Sequence, residues 1–348
     1  MLFHKSWIVF VYAIALSVES VIIEYLTTYS HFSSIILSAV SITLAGIMLL
    51  LTAIFIFKKY KDTIILFTKS WNILILASSS LSLGIFMWYD SIDRIGASKE
   101  ALIAGPMEII LIVVLARIFL KERLIKFHII GISLGLIGFV LALASDLTIN
   151  VVDNINTSKM TAFTTILPSL LSIIRFGDIE AILSALGFAI GVLFLSKLIL
   201  KHSPTEVAGA SMFIAGLILS TFMIIGLFYG SFNSILLLHS NDVSFLLRQP
   251  STLSSIDTTT TILFLFSLIP FIGSLSYSIG LQRIGASLTA TIGSSNLIIT
   301  LVIQIILKEL GFVSHLPENI FLAILGSIIG FLGIFIIHIP DFSISVKR

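Results

Sequence analysis

Cysteine is absent from this 348-residue chain, which excludes disulfides, thiolate metal sites and cysteine nucleophiles. Charge is scarce as well. Asp, Glu, Lys and Arg make up 11% of the residues, where a soluble domain carries about 25%. No Walker motif occurs, so ATP-driven transport has no basis in the sequence. There is no His-Glu-x-x-His, the 7 His are scattered, and the longer loops hold no paired acids. A membrane enzyme would need such a cluster. What the chain has in abundance is apolar surface: 57% hydrophobic residues and a mean hydropathy of +1.14. It is built for lipid.

Apolar runs fall at 7–28, 33–57, 71–89, 98–120, 124–145, 180–200, 206–229, 259–281, 287–307 and 320–339. Each is near the ~20 residues that cross a bilayer as a helix, and none alternates as a barrel strand would. His4 and Lys5 before an apolar stretch resemble a signal peptide. Glu19 and Glu24 interrupt that stretch and no small-residue cleavage site follows, so it reads as the first span.

The pentapeptide Arg-Ile-Gly-Ala-Ser occurs at Arg94–Ser98 and again at Arg283–Ser287, and Leu-Lys-Glu follows at Leu120–Glu122 and Leu307–Glu309. Loop charge then sets orientation. With the N-terminus inside, 13 Lys and Arg lie on the cytoplasmic side against 6 outside, with Arg117 inside the fourth run. Both termini are therefore expected in the cytoplasm, with one pentapeptide outside and the other inside. Five spans per half produce that inversion.

The expected fold is an all-α integral membrane protein, with ten transmembrane helices as two inverted-topology five-helix repeats. Residues 1–145 form the first repeat and 180–348 the second. Residues 146–179 form an external connection with an interfacial helix. Gly131, Gly135 and Gly138 in the fifth run have the spacing of Gly326, Gly330 and Gly333 in the tenth. Small residues four apart let helices approach closely, which predicts either packing within the bundle or a homodimer seam.

Taken in order, these motifs resemble the drug/metabolite transporter superfamily, specifically its ten-span EamA-type members. In the first half the resemblance rests on Trp88–Ser98, Pro106, Leu120–Glu122 and Gly131–Gly138. In the second it rests on Gly177-Asp178, Ala185–Lys201, Ser203–Glu206, Tyr277–Ser287 and Leu307–Glu309. The chain departs from the family pattern around one proline. Pro106 stands 16 residues before Glu122, where the usual spacing is 13, and Asn296 occupies the 13-residue position before Glu309. The resemblance implies a carrier whose third and eighth spans line a cavity, with Glu122 and Glu309 as structural anchors.

Ionisable groups at mid-depth are costly and point to function. Glu19 lies about 18 Å along its helix from Trp7, and Glu108 about 15 Å into the fourth run. Two carboxyls at one depth can exchange a proton for a cationic substrate. The setting of Glu19, Ala15–Glu19, resembles the first span of the small multidrug resistance proteins. The structural alternative is a Glu19 that merely hydrogen-bonds a neighbouring Ser or Tyr. Trp88, Tyr89 and Tyr277 are placed either to stack on a substrate or in the interfacial aromatic belt. Asn296 offers hydrogen bonds to a substrate or between helices. Glu24 and Glu100 are expected to be solvated or locally paired near the outer surface.

The expected function is secondary transport of a small organic metabolite or drug across the cell (plasma) membrane by alternating access, in the exporting direction and with proton exchange. The alternative is a divalent-cation transporter of the magnesium-permeating branch, with Glu19 and Glu108 as oxygen ligands. A membrane enzyme or a receptor ranks below both. The expected partners are the lipid bilayer and a small-molecule substrate, with no nucleic acid and no cofactor.

Overall fold

In hydrocarbon every backbone N–H and C=O must find a partner inside the chain, and an α-helix achieves this segment by segment. The computed structural model describes residues 3–119, 126–145, 174–235, 256–284, 286–312 and 315–345, and every regular element among them is helical. Among the described residues, ten helices are long and apolar enough to cross a membrane. Spans 1 to 5 are Trp7–Thr28, Ser34–Ile56, Trp71–Ile95, Ala97–Phe119 and Lys126–Ala144. Spans 6 to 10 are Phe176–Ile199, Pro204–Gly226, Thr259–Ile284, Thr291–Glu309 and Ile320–His338.

The expected boundaries shift in two places. Span 3 continues past residue 89 to Ile95, and span 6 begins at Phe176, so residues 176–179 are helical rather than part of the connection. The expected interfacial helix falls mainly on 146–173, outside the described residues, as do Leu120–Glu122. A short helix not expected from the sequence, Tyr60–Lys69, joins spans 2 and 3. Span 9 is interrupted near its start: a helix at Ala286–Gly293 runs into it and tightens at Ser294–Ser295 before Asn296 restarts regular helix. There the Ser294 and Ser295 hydroxyls donate back to the carbonyls of Thr291 and Ile292, a local competition that loosens a helix.

The spans pack as partners across the chain: 1 with 8, 2 with 7, 3 with 6, and 5 with 10. Span 4 lies against span 6, and span 9 against span 1. Glycine makes the closest of these seams. A β-carbon on Gly138 would stand 2.7 Å from the Gly330 nitrogen, and one on Gly131 2.6 Å from the Gly333 carbonyl. Spans 5 and 10 thus run antiparallel with their glycines face to face, and the stripe is occupied within the chain. Span 3 meets span 6 in the same manner, with Gly187 against Gly84. Pro106 of span 4 packs beside Gly330 and Gly135.

Spans 3 and 4 are separated by a single glycine. Gly96 has φ +83°, a backbone region that side-chain-bearing residues avoid. A β-carbon there would also meet the Cβ of His315 at 2.6 Å. This end of the bundle is closed by ionic groups. Glu24, 2% exposed, accepts from the backbone N–H of Ala97 at 2.8 Å and of His315 at 2.7 Å. The Gln304 amide also donates to it, and the His315 imidazole stands at 3.3 Å. Gln304 Oε1 accepts from the Ser98 N–H at 3.0 Å. Two free amides at the start of span 4 are thereby capped, one by a carboxylate and one by a side-chain amide. Lys99 pairs with Asp178 at 2.8 Å, and Arg94 bridges Asp90 and Glu180. Glu24 is therefore buried, not solvated.

Candidate functional site

At the middle of the bundle the helices part around a cavity of about 230 Å³. Span 1 contributes Tyr12 and Glu19, span 3 Trp88, span 4 Glu100 and Glu108, span 8 Gly273 and Ser274, and span 9 Asn296. Small residues at Ala101, Ala104, Gly105 and Gly273 leave the space, while Ile85, Leu81 and Phe188 give it apolar walls. An adjoining chamber of about 310 Å³ shares Tyr12, Leu16, Gly105, Glu108 and Asn296 and continues past Tyr277 to His338. Both chambers draw on spans from the first and second halves.

Of the residues singled out from the sequence, Glu19, Glu108, Trp88 and Asn296 line the first chamber, and Glu108, Asn296 and Tyr277 the second. Tyr89 stands behind the wall, fully buried. Its hydroxyl donates to Glu19 Oε1 at 2.9 Å and lies 3.2 Å from Ser41 Oγ. Glu19 thus has a tyrosine partner and also faces the cavity. Trp88 and Tyr89 are interior, 9% and 0% exposed, and do not form part of an interfacial belt. Tyr277 stacks against Tyr12, with ring centroids 4.9 Å apart. Glu108 has no hydrogen-bond or ion-pair partner among the described residues.

Glu100 departs from its expected place at a solvated mouth. It is 2% exposed, lines the cavity, and accepts from the Trp88 indole N–H at 3.1 Å. Its other oxygen is buried without a partner. Sequence periodicity held a signal for it. Residues 100, 104 and 108 recur every four positions, so a cavity facing Glu108 also faces Glu100. Tyr12 was missed entirely, because an aromatic in an apolar span carries no mark of its orientation.

The arrangement gathers three carboxyls into one apolar chamber, with no Lys, Arg or His among its described lining residues. Such a lining attracts positive charge and supplies groups that can take up or release a proton. Among the described residues no three His, Cys, Asp or Glu are gathered as a metal site requires.

Residues 5–144 match the model of the EamA-like transporter family. No curated protein matches the sequence. A solved structure, described only as a crystal structure of a protein, aligns over 94% of this chain and 96% of its own. Its TM-score is 0.56 at 15% identity, a likeness of fold. Ten apolar spans among the described residues, around a central cavity, make the chain an integral membrane protein, one whose residues 5–144 resemble the EamA-like transporter family.

Proposed function

We propose that the chain is a secondary carrier for a small organic cation, working by alternating access between two five-span halves and exporting its substrate in exchange for protons. The observation that carries this reading is the chamber itself: Glu19, Glu100 and Glu108 face one apolar space bounded by spans of both halves. Charges in lipid are retained where they serve a pathway. The inverted relation of the halves is supported by the helix pairing. Exchanging each span with the one five positions later turns the 1–8 pair into 6–3, and leaves 2–7 and 5–10 unchanged. Such a scheme suits rocking of one half against the other around a fixed site. The excess of Lys and Arg in alternate loops supports cytoplasmic termini, and the plasma membrane is the expected location.

In this reading Glu19 carries the proton, with Tyr89 holding its carboxyl in place, while Glu108, Trp88, Tyr277 and Asn296 contact the substrate. The divalent-cation alternative lacks a gathered ligand set among the described residues. Counterflow of a radiolabelled aliphatic amine in proteoliposomes tests the proposal. Vectorial uptake driven by a pH gradient is expected, and Glu19→Gln should abolish the gradient dependence while amine exchange at equal pH continues. Chemical alteration of the amine without vectorial movement would sink the carrier, and unchanged gradient dependence in the variant would remove Glu19 from the role.

A further inference from the structure

The carboxyls of the chamber are not equivalent, and their placement along span 4 has the form of a ruler. Glu100, Ala104 and Glu108 follow one another at four-residue steps. Eight residues of helix rise about 12 Å and turn through about 80° beyond two full turns. Both acids therefore lie on one face, at opposite ends of a floor made small by Ala101, Ala104 and Gly105. Ile85 and Phe188 add apolar lining to the same chamber.

Each acid has acceptor capacity that the protein leaves open. The Trp88 indole fixes Glu100 Oε2 at 3.1 Å, while Glu100 Oε1 is buried with no partner. A buried carboxylate oxygen without a donor is unfavourable, so the site is incomplete without one. Glu108 likewise has no hydrogen-bond or ion-pair partner among the described residues. His338, in the adjoining chamber, is turned to the carbonyl of Ile334 at 2.9 Å. Glu19 already accepts from Tyr89.

We infer that the chamber selects organic dications: an aliphatic di- or polyamine lies along span 4, one ammonium on Glu100 and another on Glu108, with its methylenes over Ala104. This rests on the carrier reading and narrows its substrate class, leaving Glu19 for the proton. With the glutamates leaning inward, the two nitrogens would stand roughly 7–11 Å apart, the reach of about six to nine single bonds at roughly 1.25 Å each. A monoamine satisfies one acid and leaves the other bare. The second charged contact is worth at least about tenfold in affinity.

Titration calorimetry on the full chain in nanodiscs decides the matter, with 1,7-diaminoheptane, n-heptylamine and magnesium chloride as probes. The diamine should bind about tenfold or more tightly than the monoamine, and Glu100→Gln and Glu108→Gln should each bring that ratio close to one. Equal binding of the two amines, a ratio that survives both substitutions, or magnesium binding in preference to both amines would overturn the dication site. Glu108 has no partner to lose, so its variant keeps the test alive if Glu100→Gln does not fold. Counterflow in proteoliposomes separates this inference from the reading beneath it. Diamine binding without vectorial flux would remove the carrier and keep the dication site, whereas flux without diamine preference would do the reverse.

Discussion

Glu24 and Glu108 are both carboxylates inside apolar helices, yet their surroundings are opposite. Glu24 has two backbone amides, the Gln304 amide and the His315 imidazole around it. Glu108 has an apolar chamber and no hydrogen-bond partner among the described residues. A charge with a full set of donors from three segments acts as a fastener, joining span 1 to the start of span 4 and to the connection between spans 9 and 10. A charge with an open face is available to something that comes and goes. Both sit in apolar helices; the number of donors separates them.

The largest effect should come from breaking the fastener. Glu24→Leu leaves three polar segments without their acceptor and is expected to destabilise the protein by about 3–5 kcal/mol, the usual cost of removing one member of a buried charged network. Thermal unfolding in detergent measures it. A loss under about 1 kcal/mol would show that the donors find other acceptors, and the contrast with Glu108 would collapse. Next in size is the glycine seam. Gly138→Ala forces a methyl carbon to within 2.7 Å of the Gly330 nitrogen, and overpacking of this kind costs about 1–3 kcal/mol. The same measurement on Gly226→Ala, where nothing lies within 4 Å, supplies the reference.

Much of this was legible in the sequence, for reasons that also explain the rest. The ten spans were readable because lipid leaves the backbone no choice but helix. The seam between spans 5 and 10 could be anticipated because a glycine triplet with the same spacing stands in both. Glu19 and Glu108 drew notice by depth alone, and both border the cavity. Facing was harder to read. Lys99 and Glu100 are neighbours in sequence and look like one charged mouth, but a helix turns 100° per residue. Lys99 consequently meets Asp178 while Glu100 enters the chamber. The partners of Glu24 lie 73, 280 and 291 positions away, beyond any local pattern. Trp88 and Tyr89 suggested a belt because the apolar run fades after them, although the helix continues to Ile95.

Glu108→Gln sharpens the comparison from the other side. The substitution keeps shape and removes only charge from a group with no hydrogen-bond partner, so stability should change by less than about 0.5 kcal/mol. Diamine counterflow should fall at least tenfold in the same preparation, matching the loss of a charge-assisted contact. A stable variant with intact flux would place Glu108 among the bystanders.

The smallest effect concerns pH. His315 lies in the connection after span 9 and is half exposed. Its hydrogen bond to Glu24 pushes its pKa above the ordinary 6.5; burial opposes this, the charges of Glu24 and Asp93 add to it, and Arg175 subtracts. A raised folded-state pKa means that the protonated imidazole favours the folded form. The contribution is therefore fully present below pH 6.5 and is lost as pH rises through the higher folded value. Because His315 is exposed and screened, the contribution should amount to only about 0.2–1 kcal/mol. Wild type should lose that much more stability than His315→Gln on passing from acid to mildly alkaline pH. The backbone N–H of residue 315 still reaches Glu24 in the variant, so the difference isolates the imidazole. If the two proteins melt in parallel across the range, the fastener at Glu24 is held by its amides alone and its strength does not depend on pH.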